Sequence, residues 1–159
     1  MSHQPARRPF PEPDIAVDTN RLWAGGLATA FVAGLAAAVG VLIVRDIAGV
    51  KLQEPSTLLG LTDSLAFNYA FTAFLLALAA CGIGHLLSLT TPRPRVFFTW
   101  IVGLVTVAAM VVPFAGDASL GSQLSTAVIN LVVGLAVASL LSAVLSRTVV
   151  DAERTWQEP

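Results

Sequence analysis

The sequence predicts an all-α integral membrane protein: a four-transmembrane-helix bundle with both termini cytoplasmic. Three observations predict it. The chain of 159 residues is 55% hydrophobic and only 12% charged, whereas soluble domains carry about a quarter charged residues. Its mean hydropathy is +0.77. Its apolar residues fall into four runs free of Asp, Glu, Lys and Arg, each long enough to cross a hydrocarbon core of ~30 Å. A soluble fold would need charges interleaved along those runs to wet its outer helix faces.

Residues 1–21 are polar and carry Pro5, Pro9, Pro11 and Pro13. Such a stretch buries too little apolar surface to order itself, so a disordered cytoplasmic tail is expected. Asp18, Thr19 and Asn20 offer N-cap chemistry for the first span, residues 22–44. That apolar run exceeds the ~7–15 residues of a signal-peptide core, which favours an uncleaved helix. The loop from Arg45 to Ser64 mixes charged with apolar residues and holds Gly49, Pro55 and Gly60. It is expected to pack on the outer ends of the bundle. Thr62, Asp63 and Ser64 can cap the second span, 65–89.

The turn Thr90-Thr91-Pro92-Arg93-Pro94-Arg95 leads into the third span, 96–115, which opens with Phe97, Phe98 and Trp100 as an interfacial aromatic belt. Pro113 removes one backbone hydrogen bond near its far end and should bend or end it there. The fourth span, 120–146, follows the short turn at Gly116-Asp117-Ala118-Ser119, and a polar tail, 147–159, brings Trp156 to the headgroups. These spans form one membrane domain, residues 22–146.

Orientation follows from lysine and arginine. With both termini inside, Arg7, Arg8, Arg21, Arg93, Arg95, Arg147 and Arg154 lie on the inner side, against Arg45 and Lys51 outside. A multi-pass plasma-membrane protein is expected. Arg93 and Arg95 suit lipid head groups as well as topology.

Lipid supplies no hydrophobic drive for helices to associate, so small residues must let backbones approach. Gly26, Ala30, Gly34 and Ala38 recur at four-residue intervals in the first span, and Gly84 follows Ala80 in the second. Thr126, Gly134 and Ala138 belong to a longer row in the fourth. Such rows drift by about 40° per step, so the fourth helix should touch more than one partner. Tight packing is the simplest reading of these rows, and homo-oligomerisation through one ridge the sharper one.

Polar residues inside the spans are few. His85 lies about four residues from the inner end, with Cys81 one turn earlier on the same face. A hydrogen bond from His85 to Ser88, Thr99 or Ser142 is the structural reading, and a metal or redox role with Cys81 the functional one. A zinc site wants about four N or S ligands, and the chain has a single cysteine and only one histidine, His3, besides His85. Asn130 lies near mid-membrane, where an amide should bond across helices. Asn68, Thr72, His85, Asn130 and Ser142 together form a candidate polar path for a channel or small-molecule transporter.

The spans lack the buried carboxylate that proton-coupled exporters need. Paired thiols and paired haem histidines are missing, as are a phosphate loop, a nucleophile elbow and a His-Glu-x-x-His motif. No basic run points to nucleic acid. No cofactor, metal or catalytic residue is expected.

The segment Ala48-Gly49-Val50-Lys51-Leu52, the hairpin Thr91-Pro92-Arg93-Pro94-Arg95-Val96-Phe97 and the proline ending the third helix resemble an uncharacterised actinobacterial family of small four-helix membrane proteins. The resemblance covers most of residues 22–146 and implies a source and a fold, without an activity. The leading expectation is an accessory or scaffold subunit, non-catalytic, whose partners are the bilayer and a homo-oligomer or larger membrane complex. An oligomeric passive channel or small-molecule transporter is the alternative. A metal or redox protein using Cys81 and His85 is the second.

Overall fold

The computed structural model describes residues 19–49, 62–91 and 93–154. The proline-rich segment before Thr19, most of the long loop, Pro92 and the end with Trp156 lie outside the described residues, and so do the expectations placed on them. Every element among the described residues is helical. That is the solution an apolar solvent would impose, because there each backbone N–H must find its carbonyl within the same segment.

Helix α1 spans Thr19–Leu42 and widens into one π turn at Ile43–Ile47. The N–H of Ala48 closes this turn on the carbonyl of Ile43 at 3.1 Å, and Gly49 leaves it at φ +65°, a conformation that suits glycine. The helix starts three residues before the expected span, so Thr19, Asn20 and Arg21 are helical and are not part of a disordered tail. Helix α2 covers Leu65–Thr90. Ser64 caps it as expected, its Oγ accepting from the N–H of Phe67 at 3.4 Å.

Helix α3 spans Pro94–Val111 and continues as a short 3-10 turn, Val112–Ala115. It begins two residues early because Pro94 occupies the first turn, where a missing N–H costs nothing. It changes form beside Pro113, where the ladder loses a donor. Helix α4 runs from Leu120 to Arg154, well past the expected membrane exit. Ser119 serves its first turn, accepting from the N–H of Ser122 at 3.4 Å. All four helices are long and apolar enough to cross a membrane.

Neighbours run antiparallel. Gly26 of α1 faces Cys81 of α2, and Gly34 faces Ala70 and Phe74. On its other side α1 meets α4, with Gly25 against Val144 and Gly40 against Ile129. Helix α4 meets α3 where Gly134 faces Thr106. The ring order is therefore α2, α1, α4, α3, and the fourth helix does touch two main partners. The ring closes weakly. Helices α2 and α3, joined by the shortest turn, meet where Phe98 packs beside Gly84.

In the small-residue row of α1, Gly26, Ala30 and Gly34 are all buried. The row then drifts: Ala37 and Val41 are buried while Ala38 is only half-buried, as a four-residue row on a 3.6-residue helix must. Two cores result. One holds Leu22, Ala33, Cys81, Phe98, Leu141 and Leu145, and the other Val41, Tyr69, Ala73 and Ile129.

Among the described residues, Arg21, Arg93, Arg95 and Arg147 share one end of the bundle, the arginine end. Arg45, Asp46, Asp63 and Asp117 share the opposite end.

Candidate functional site: a lateral seam between the second and third helices

Because α2 and α3 meet mainly near their turn, the rest of their facing sides stand apart. Between them lies a cavity of about 630 Å³. Its walls are α2 and α3, and its floor is α4 with Ala37 of α1. It opens sideways, toward the space that lipid would fill, between the exposed side chains of Leu76 and Val105.

The lining divides along its length. Toward the arginine end it is apolar, with Ala79, Ala80, Ile83, Phe98, Ile101 and Val137. Toward the opposite end it gathers Tyr69, Thr72, Thr106, Thr126 and Asn130. Most of these polar groups already have hydrogen-bond partners within the bundle. Thr106 Oγ1 donates to the carbonyl of Val102 at 2.7 Å, and Thr126 Oγ1 to that of Ser122 at 2.9 Å. Tyr69 and Thr126 are hydrogen-bonded through their side chains. The hydroxyl proton of Thr126 already serves Ser122, so the phenol of Tyr69 is the donor in this α2–α4 link.

Asn130 makes the expected bond across helices, and its partner has a clear cause. Its Nδ2 donates to the carbonyl of Ala109 at 2.7 Å. Ala109 stands four residues before Pro113, so it is the carbonyl whose helical donor proline lacks. The preceding pair is intact, Val112 donating to Ala108. The amide of α4 thus replaces the N–H that α3 has lost. An orphaned carbonyl would be costly in hydrocarbon, and Asn130 gives this one a donor.

The structure splits the expected polar path. Thr72 and Asn130 line the seam. Asn68 instead closes the start of α2, its Nδ2 donating to the carbonyl of Thr62 at 2.8 Å. Neither His85 nor Ser142 lines the cavity. His85 sits on the α1 side, its ring 6.4 Å from that of Trp23. The hydrogen bond expected between it and Ser88, Thr99 or Ser142 is not made among the described residues. Ser88 donates to Gly84 at 2.8 Å and Thr99 to Arg95 at 2.9 Å, each along its own helix. The Nδ1 of His85 is buried without a partner among the described residues.

Cys81 is buried against Gly26, its thiol 3.8 Å from the carbonyl of Leu22. Among the described residues no third His, Cys, Asp or Glu joins the pair.

One residue escaped sequence reasoning. Gln123 is buried, and its Nε2 donates to the carbonyls of Gly116 and Ala118, both at 2.9 Å. It clamps the turn between α3 and α4. The signal was a long amide one turn into a helix that follows a glycine-containing turn.

No curated protein and no solved structure matches the chain. Over residues 17–147 it matches a family model, and it belongs to that family, a family of unknown function (DUF6069).

Proposed function

We propose that this chain is a non-catalytic accessory or scaffold subunit of the plasma membrane, and that the α2–α3 seam is the side it offers to another membrane component. The observation that supports this most is the contrast between closed and open helix pairs. At α1–α2, α1–α4 and α3–α4 the helices lie close enough that a methyl group on Gly26, Gly25 or Gly134 would strike the neighbouring helix. Only at α2–α3 does the ring stand open. A rigid frame with one open side suits a component that holds something in place. The arginine end faces the cytoplasm, as the distribution of positive charge favours, which puts both termini there.

Photo-cross-linking in native membranes tests the reading. A benzophenone side chain placed in the full chain at Leu76 or Val105, on the two lips of the seam, should give a protein adduct. The same group at Leu35, exposed on α1, should not. A chain that purifies in mild detergent as a lone monomer, with no adduct from either lip, would count against an accessory role.

A passive channel or transporter is the second reading, and the polar half of the seam favours it. The space between the helices is filled by side chains such as Leu22, Ala33, Phe98 and Leu141. Solute would have to move along the seam, past Thr72 and Asn130, in an oligomer that covers it. Solute flux into proteoliposomes that falls in Asn130→Leu would favour this reading over the first.

A further inference from the structure

The two halves of the seam differ in chemistry, and the arginines adjoin only one of them. Arg95 precedes Phe98, a lining residue, by three positions, and Arg93 stands at the start of the same helix. From Arg95 to the lining residues Phe98 and Ile101 is about 4.5–9 Å along the helix axis. Both arginines are exposed, and among the described residues neither forms an ion pair. Arg21 and Arg147 lie at the same end, where α4 runs on through Asp151 and Glu153. Beside them lies the apolar half of the cavity, open to the side. Among the described residues no side chain caps the start of α3, and its helix dipole adds to the positive field there.

We propose that this end of the seam binds an anionic phospholipid, with the phosphate at Arg93 and Arg95 and one acyl chain in the apolar half beside Ala79, Ile83 and Ile101. The occupant follows from complementarity. A polybasic end needs an anion, and a groove lined by methyl groups at membrane depth needs a hydrocarbon chain. One molecule carries both, separated by a glycerol backbone that spans the turn or two between them. A zwitterionic lipid would bring the chain without net charge. The polar half of the seam, at the opposite end, stays outside the site.

This inference rests on the seam as the working side of the protein and names what occupies part of it. Its test needs no protein partner, so the two can fail separately. The full chain, purified in detergent, is mixed with phosphatidylglycerol and phosphatidylcholine of identical acyl chains and weighed by native mass spectrometry. Retention of phosphatidylglycerol is expected to exceed that of phosphatidylcholine, by about fivefold for each arginine. Arg93→Gln with Arg95→Gln should abolish the preference, while Arg147→Gln should largely keep it. Glycerol phosphate without acyl chains should not compete.

Ala79→Phe, which puts a ring at the mouth of the groove, should reduce retention of both lipids. Circular dichroism reports whether each variant is folded. Phosphatidylglycerol carrying a diazirine in its acyl chain gives a readout on the unaltered protein: the adduct should fall on residues 79–83 and 98–105. Equal retention of the two lipids, a preference that survives loss of both arginines, or adducts spread evenly over all four helices would overturn the proposal.

Discussion

Glycine acts in this bundle by position, and the same substitution has different expected outcomes at different sites. At Gly134 an added methyl group would overlap the side chain of Thr106, whose Cβ stands only 2.9 Å away. Thr106 cannot swing aside cheaply, because its hydroxyl is bonded to Val102. Helices α3 and α4 would have to separate. Gly134→Ala is therefore expected to destabilise by about 1–3 kcal/mol. At Gly103 nothing lies within 4 Å of the same methyl group. Gly103→Ala should stay within about 0.5 kcal/mol of the parent. SDS-driven unfolding in mixed micelles measures both, and equal losses at the two sites would undo the close-approach argument. Gln123 gives a polar counterpart. Gln123→Leu strips donors from the carbonyls of Gly116 and Ala118 and should cost about 1–3 kcal/mol by the same measurement.

The relation between whole helices decides more than any single residue, and it also separates what the sequence could reveal from what it could not. Ser64 as a cap, Pro113 as the end of the regular third helix and Gly26-Ala30-Gly34 as a packing row are local or periodic facts. Each was legible from the chain. The partner of Asn130 was not. It requires knowing that α4 lies against α3 at the level of Ala109, and spans that are apolar all round carry little record of which neighbour they face. The seam was hidden for the same reason, because Ile83 and Ile101 read as ordinary lipid-facing residues until the ring order places them beside a gap. His85 shows the reverse failure. Ser88 and Thr99 stood at the right depth by sequence, but each hydroxyl bonds the carbonyl one turn back on its own helix.

The pairing of Asn130 with Ala109 yields an inter-helix prediction. Asn130→Leu should cost about 1 kcal/mol, the scale of hydrogen bonds between membrane helices. In a Pro113→Ala background the residue at 113 regains an N–H that can serve Ala109, so the same change should cost less by about 0.5 kcal/mol or more. An identical cost in both backgrounds would mean that proline and amide are unrelated.

At the scale of the whole molecule, the alternation of helices makes one claim that spectroscopy of isolated pieces cannot reach. If all four apolar helices cross a bilayer, Thr62 and Ser119 must emerge on one side and Thr90 on the other, since an even number of crossings separates the first two and an odd number separates each from Thr90. All three are exposed. The single native cysteine, Cys81, is buried against α1, so Cys81→Ala gives a background without thiols. In intact cells a membrane-impermeant maleimide should then label Thr62→Cys and Ser119→Cys but not Thr90→Cys, and permeabilisation should expose the third. The direction follows from Arg21, Arg93, Arg95 and Arg147 gathering at the end of Thr90, the side that positive charge keeps in the cytoplasm. The opposite pattern would keep the bundle and invert its orientation. Labelling of Thr62→Cys without Ser119→Cys would break the alternation itself, and with it the seam as a lateral opening toward lipid.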